Sequence, residues 1–391
     1  MRFTITATLK EFIQSQKFSG VLLIVCTIVS LLLANSFISD SYLKFYHFKP
    51  DLFSGSANTS MSIEHFINDG LMAIFFLLVG LEIKREVMGG ELSTIRKAII
   101  PVAAAIGGMI FPALFYLFFN TGTETASGWG IPMATDIAFA IGVLSLLGNR
   151  IPDSLKILLT ALAVVDDLGA VIVIALFYSS GISMFYLLSA AGVLVLLSVF
   201  NFLRVKSLLF YLIPGLFLWY FMYSSGVHSA IAGVLLAMTI PYRKEDEKSP
   251  LLKLEHSLHF PVNFIIMPLF ALANTAIVLN SGFMDQILSP ESLGIGVGLI
   301  FGKPIGIVSF ISLVLLFKIG KLPYGMNMKQ VIGLGFLGGI GFTMSIFISL
   351  LAFSEPDHIL NAKIVILISS CIAGLTGYFL LRKTNHASSG K

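Results

Sequence analysis

Residues 157–177 form an apolar run interrupted at its centre by two adjacent carboxylates, Asp166 and Asp167. A run of this length matches the roughly 20 helical residues that cross a bilayer's hydrocarbon core of about 30 Å. Only helices and closed barrels pair every backbone N–H and C=O there, and an apolar run this long reads as a helix rather than a barrel strand. An ionised carboxylate at mid-depth is costly unless paired, and such residues mark ion or proton paths. Composition carries the same constraint along the whole chain. Of 391 residues, 56% are hydrophobic and 12% charged, with mean hydropathy +0.92, against about 25% charged in soluble domains. The expected fold is an all-α polytopic membrane protein forming a single integral membrane domain over 1–391.

Hydropathy places twelve spanning segments at 18–35, 62–84, 98–119, 126–148, 154–178, 183–202, 207–224, 226–241, 257–279, 292–317, 331–353 and 361–381. Before them, residues 4–17 put Ile5, Leu9, Phe12 and Ile13 on one helical face, with Lys10, Glu11 and Lys17 off it, which predicts an amphipathic helix on the membrane surface. The first apolar run follows Lys17 and is long enough to span, so it reads as a retained helix rather than a cleaved signal. With the N-terminus inside, the inward segments carry 21 Lys and Arg and the outward ones only Lys44, Lys49 and Lys363. That asymmetry predicts both termini in the cytoplasm. Trp129 and Trp219 fall near expected outer ends. In the outer loop 36–61, partial alternation over Tyr42–Phe48 before Lys49-Pro50-Asp51 suggests a small hairpin or an irregular loop. An exposed hairpin would suit strand pairing between two protomers.

Several function classes fall away. The basic residues sit in short loops rather than one patch, so a nucleic-acid partner is not expected. Cys26 and Cys371 lie in apolar runs, and with no CxxC or His/Cys cluster neither structural zinc nor an Fe–S centre is indicated. No cofactor is expected. A Walker-type phosphate loop is missing, so no nucleotide is expected to drive the protein. An intramembrane aspartyl protease also needs two aspartates, but its Gly-x-Gly-Asp motif does not occur. A passive cation channel would not need a buried lysine, and a transporter of an organic anion would dispense with two aspartates facing one. The chain reads as a secondary transporter, not an enzyme.

The specific signal is a set of ionisable residues at one expected depth. Asp136, preceded by Thr135, is central in the fourth segment, Asp166 and Asp167 in the fifth, and Lys303 in the tenth. The fourth and eleventh segments look broken, through Gly128-Trp-Gly130-Ile-Pro132 and through Gly333, Gly335, Gly338, Gly339 and Gly341. Discontinuous helices at mid-membrane point to a transporter's ion site. Segments 3–5 and 10–12 are candidate inverted repeats, with Ala134-Thr135-Asp136 opposite Phe342-Thr343-Met344. Positive half-helix starts favour a carboxylate such as Asp136, and negative half-helix ends a cation such as Lys303. Neighbouring helical residues diverge by about 100°, so one of Asp166 and Asp167 can pair with Lys303 while the other meets a cavity. Sodium, a hard cation, wants oxygen ligands, and Asp167, Asp136, Thr135 and unwound carbonyls offer them. A proton competes for the same carboxylate, and competition at a site of alternating access gives antiport.

Five motifs carry a resemblance: Gly80-Leu-Glu-Ile-Lys-Arg-Glu86, Ala134-Thr-Asp-Ile-Ala-Phe-Ala140, Ala163-Val-Val-Asp-Asp-Leu-Gly169, Leu254-Glu-His-Ser-Leu-His259 and Gly302-Lys-Pro-Ile-Gly306. Together, in this order over essentially the whole chain, they resemble the NhaA-type sodium/proton antiporters. The resemblance implies a bacterial inner-membrane protein that exchanges internal Na⁺ or Li⁺ for external protons electrogenically, and a homodimer joined partly through a hairpin like that suspected at 36–61. It implies that Asp166 and Asp167 are the essential pair, with Asp136 and Thr135 beside them and Lys303 on Asp166. It also implies a pH-sensing ring of Glu82, Arg85, Glu86, Glu255, His256 and His259, although Phe260 separates His259 from Pro261, a departure from the family pattern. Two accessory residues remain open. Asp69 is either on an ion path or a structural hydrogen-bond partner, and His228 either takes part in the pH response or is a satisfied interface histidine.

Overall fold

The computed structural model describes residues 7–49, 62–179, 181–243, 246, 249–278, 287–323 and 325–384. Every regular element among them is helical. The first is α1, Ala7–Ala34, followed after a 114° turn by α2, Ser39–His47. Then come α3 (Ile63–Gly89), α4 (Ile95–Asn120), a 3₁₀ stretch (Glu124–Met133), α5 (Ile137–Leu146) and α6 (Asp153–Phe177). The second half holds α7 (Met184–Phe202), α8 (Leu209–Ser225), α9 (Ala230–Thr239) and α10 (Pro250–Asn274), then α11 (Pro290–Leu316), α12 (Met328–Gly338), α13 (Phe342–Ala352) and α14 (Pro356–Lys383). Among the described residues seven helices are long and apolar enough to cross a bilayer alone, three bent pairs qualify jointly, and α8 and α9 are shorter apolar helices. That gives up to ten spans by length and composition, with α8 and α9 at the positions of the expected seventh and eighth. Phe118, Leu176, Phe185 and Phe202 are more than two-thirds exposed, as side chains solvated by lipid rather than water should be.

Two compact units divide the chain: Met1–Val25, Glu91–Ala170 and Leu279–Lys391 form the first, Cys26–Gly90 and Val171–Val278 the second. In the first, α4 packs on α11 and α12 on α14. The closest approach is at Gly107 and Gly306, where a Cβ on either would strike the other's carbonyl. Small residues allow such contact, which replaces the hydrophobic drive missing between helices in lipid. In the second, α3 packs on α9 and α7 on α8.

Three expectations change. No break separates a surface helix at 4–17 from the first span, because α1 is continuous from Ala7 through Gly20 to Ala34; no proline stands near Lys17, and a single glycine inside a helix is tolerated at a cost of about 1 kcal/mol. The suspected hairpin is instead helix over Ser39–His47, with Asp40 in its first turn and Lys44 and His47 in its last, the charge arrangement a helix dipole favours; the rest of that suggestion, 50–61, lies outside the described residues. The ninth span starts at Pro250 rather than near 257, with Ser249 capping it by accepting from Leu252 N, as a serine before an N-terminal proline does.

Candidate functional site

The two broken helices meet at their interruptions. The 3₁₀ stretch and α5 are bent by 43°, α12 and α13 by 46°. The strands of chain between the halves run antiparallel: Ser345 Oγ donates to Ile131 O at 2.8 Å, Asp136 N to Ile340 O at 2.6 Å, and Thr135 Oγ1 to Gly338 O at 2.8 Å. Interrupted helices leave amides and carbonyls without intrahelical partners, and here each break supplies groups that satisfy the other.

Asp136 joins two helix starts. Its Oδ1 accepts from Phe139 N at 3.1 Å, capping α5, while its Oδ2 accepts from Thr343 N at 3.1 Å and from the Thr343 hydroxyl at the start of α13. One carboxylate thus faces the positive ends of two half-helices, as the dipole argument expects. Both its oxygens are taken by these donors, so in this arrangement Asp136 holds the crossing together.

Lys303 and Asp166 form the pair at the centre. The Lys303 ammonium donates to Asp166 Oδ2 at 2.7 Å and also to Met133 O, the carbonyl closing the 3₁₀ stretch. Thr135 Oγ1 donates to the same Asp166 oxygen at 2.7 Å. Both members of the pair have fully buried side chains. The lysine stem passes the backbones of Gly108 and Gly338, where a Cβ would lie 3.6 Å from Lys303 Cε and 3.8 Å from its Cγ. Asp166 Oδ1 is buried and accepts no hydrogen bond from the described residues. Asp167, the next residue of α6, is also buried. The structure therefore brings Thr135, Asp166 and Lys303 into one hydrogen-bonded set, with Asp136 and Asp167 adjacent by sequence and Asp136 bonded separately to Phe139 and Thr343.

The second unit contains the ring of charges. Arg85 Nε donates to Glu255 at 2.9 and 3.2 Å, and the Arg85 guanidinium donates to Glu86 at 2.6 Å. His259 lies 3.6 Å from Glu255 and 3.8 Å from Glu82. Glu82, Glu255 and His259 bring three potential metal ligands within 4.8 Å of one another, but Arg85 already supplies a cation to Glu255. His256 is not part of this group. It is exposed, because Glu255 and His259 share a helix face at i, i+4 and the intervening residue points elsewhere. Tyr242, in the turn after α9, borders the cluster, and burial pushes its phenol above the usual tyrosine range.

Asp69 and His228 also meet. His228 Nε2 and His65 Nε2 flank the Asp69 carboxylate at 3.1 and 3.0 Å, and Ser229 Oγ donates to Asp69 Oδ1 at 3.2 Å. Sequence reading missed His65, although its i, i+4 spacing from Asp69 was available. It also missed Lys84, whose ammonium donates to Met238 O and Ile240 O at 2.7 and 2.6 Å and so closes α9. Three π-helical turns went unseen: Phe66–Leu71, holding Asp69, Val262–Ile266, after His259, and Gly298–Gly302, before Lys303. Such widened turns occur often at functional sites.

Residues 10–381 match the family described as Na⁺/H⁺ antiporter 1. This chain belongs to that family. A protein named Na⁺/H⁺ antiporter NhaA from Flavobacterium psychrophilum is 55% identical over 97% of this chain and 96% of its own length. Proteins of the same name from Cytophaga hutchinsonii and Dechloromonas aromatica are each 52% identical, covering 97% and 96% of this chain and 96% of their own lengths. Family membership and the all-helical, multi-pass fold make the protein a membrane transporter of the Na⁺/H⁺ antiporter class.

Proposed function

We propose that the protein expels Na⁺ or Li⁺ electrogenically in exchange for protons, through one carboxylate site that holds either a cation or protons, in the inner membrane of a bacterium with both termini cytoplasmic. The observation that carries this reading is the fully buried Asp166–Lys303 pair, 2.7 Å apart, with Asp167 at the next position. A cation entering between Asp166 and Asp167 takes the place of the ammonium on Asp166. A buried ammonium without its carboxylate is costly, so Lys303 gives up its proton as the cation binds. Asp167, protonated in the cation-free state, gives up a second. Two protons then leave for each Na⁺ that enters, and the cycle moves net charge. Thr135 and Asp136 hold the two helix interruptions in register around this exchange.

Regulation by pH is proposed for the Arg85, Glu82, Glu86, Glu255 and His259 group, where the imidazole is the side chain whose ordinary titration falls near neutrality. Assembly as a homodimer is proposed on the resemblance alone and is read directly by cross-linking in the native membrane.

The test uses everted vesicles with an acid interior, to which Na⁺, Li⁺ or K⁺ is added while interior pH is followed. Collapse of the gradient by Na⁺ and Li⁺ but not K⁺ is expected, and it should quicken when an interior-positive potential is imposed. An unchanged rate under that potential removes the electrogenic part. Asp167→Asn should abolish the response, and Na⁺-dependent proton movement persisting in that variant would sink the single-site mechanism.

A further inference from the structure

Arg96, Lys97, Lys318 and Lys321 line one cavity of about 680 Å³ in the first unit. Lys97 reaches Glu91 at 3.4 Å, and the other three cations have no acidic partner among the described residues. Four cations against one lining carboxylate give the cavity a net charge of +3. Two of the cations, Arg96 and Lys97, stand in the first turn of α4, which has no acidic residue and no side-chain cap from Thr94. Basic groups there add to the positive end of the helix instead of offsetting it. Lys318 closes α11 with φ of 56°, a left-handed conformation unfavourable for a residue with a Cβ.

The rest of the lining is largely apolar and includes Ile100 and Pro101 of α4 and Ile157, Leu158 and Ala161 of α6. A passage for Na⁺ would be lined by carboxylates or carbonyls, and a net positive charge repels it. The combination fits an anionic amphiphile. We propose that this cavity binds an anionic phospholipid, its phosphate held among Arg96, Lys318 and Lys321 and an acyl chain laid against α4 and α6. All four cations fall in segments that the Lys and Arg asymmetry places inward, facing the leaflet rich in anionic lipid, and basic pockets between helices on that side suit such headgroups. The proposal goes beyond the transport reading and does not depend on it.

Native mass spectrometry of the full chain, delipidated in detergent, tests it. The probes are phosphatidylglycerol, phosphatidylcholine with the same acyl chains, and inorganic phosphate. Phosphatidylglycerol should remain bound at collision energies that strip phosphatidylcholine. Each cation removed should weaken binding about fivefold, so Lys318→Gln with Lys321→Gln should lower it about 25-fold. Lys253→Gln, an exposed charge on α10, should leave binding unchanged, and Lys318→Arg with Lys321→Arg should keep it at the wild-type level. Equal retention of the two lipids would overturn the proposal, since the apolar wall alone would then account for binding. Displacement of phosphatidylglycerol by millimolar phosphate would overturn it in favour of a simple anion site. Unaltered binding in the double glutamine variant, or loss in the double arginine variant, would overturn the role given to charge.

Discussion

The Lys303 ammonium and the Asp166 carboxylate lie 2.7 Å apart with neither side chain reaching solvent. Removing one partner from such a pair leaves an uncompensated buried charge and costs about 3–5 kcal/mol, whereas removing both together is close to neutral. Lys303→Met should therefore lower stability by about that amount, and Lys303→Met with Asp166→Asn should recover most of the loss. Thermal unfolding in detergent measures both. Additive losses would show that the two groups do not stabilise one another. Neither variant should transport.

Asp136 separates charge from capping. Asparagine caps a helix about as well as aspartate, and alanine loses roughly 0.5–2 kcal/mol per cap. The carboxylate serves α5 and α13 at once, so Asp136→Ala should lose about 1–4 kcal/mol of stability, two caps' worth. Asp136→Asn should unfold near the wild-type temperature yet need a higher Na⁺ concentration for half-maximal exchange. Equal unfolding temperatures for the two variants would remove the capping role.

Much of this site could be read in the sequence because lipid makes charge conspicuous. Asp136, Asp166 and Lys303 are few charges in apolar runs, and their shared depth follows from counting residues. The glycines around Gly338 marked a break. What could not be read was pairing that depends on the opposite chain. The repeat alignment sets Ala134-Thr135-Asp136 opposite Phe342-Thr343-Met344, but nothing local to Asp136 says that the Thr343 amide would reach its carboxylate, since that requires two breaks to meet. The π-turn before Lys303 was hidden for the same reason: Gly302 and Pro304 announce an irregularity but not its width. Elsewhere the sequence held better signals than the ones used. Ser249-Pro250 marks the start of α10, and the charges of Asp40, Lys44 and His47 describe a helix where alternation over Tyr42–Phe48 suggested strands.

The contact of Gly107 with Gly306 lies one turn from Lys303, so packing there should be felt at the ion pair. A methyl group on Gly306 would meet the Gly107 carbonyl. Backbone cannot give way as a flexible side chain can, and overpacking of this kind costs about 1–3 kcal/mol. Gly306→Ala should lower the unfolding temperature and slow exchange, and Gly306→Val should do more of both. Gly192→Ala, at a glycine with open space around its Cβ position, should do neither. Wild-type exchange in Gly306→Val would show that α4 and α11 adjust without moving Lys303.

His259 gives the proposed pH response a definite sign. Its ring faces Glu82 on α3 and Glu255 on its own helix, with Arg85 and Glu86 completing the group and Tyr242 at its edge. When protonated, the imidazolium attracts both carboxylates and clamps α3 to α10. As pH rises through the histidine's titration the clamp is lost, and exchange should increase. A change of about 1.4 kcal/mol in the balance of two states shifts their ratio roughly tenfold, so a rise in rate of about that size between pH 6 and 8 is the expected scale. His259→Gln keeps a hydrogen-bonding side chain but cannot carry charge. Its rate should vary far less across the same interval, while His256→Gln, at an exposed position outside the group, should reproduce the wild-type curve. Vesicle measurements of exchange rate against pH distinguish the two, and a wild-type curve from His259→Gln would place the pH response elsewhere in the chain.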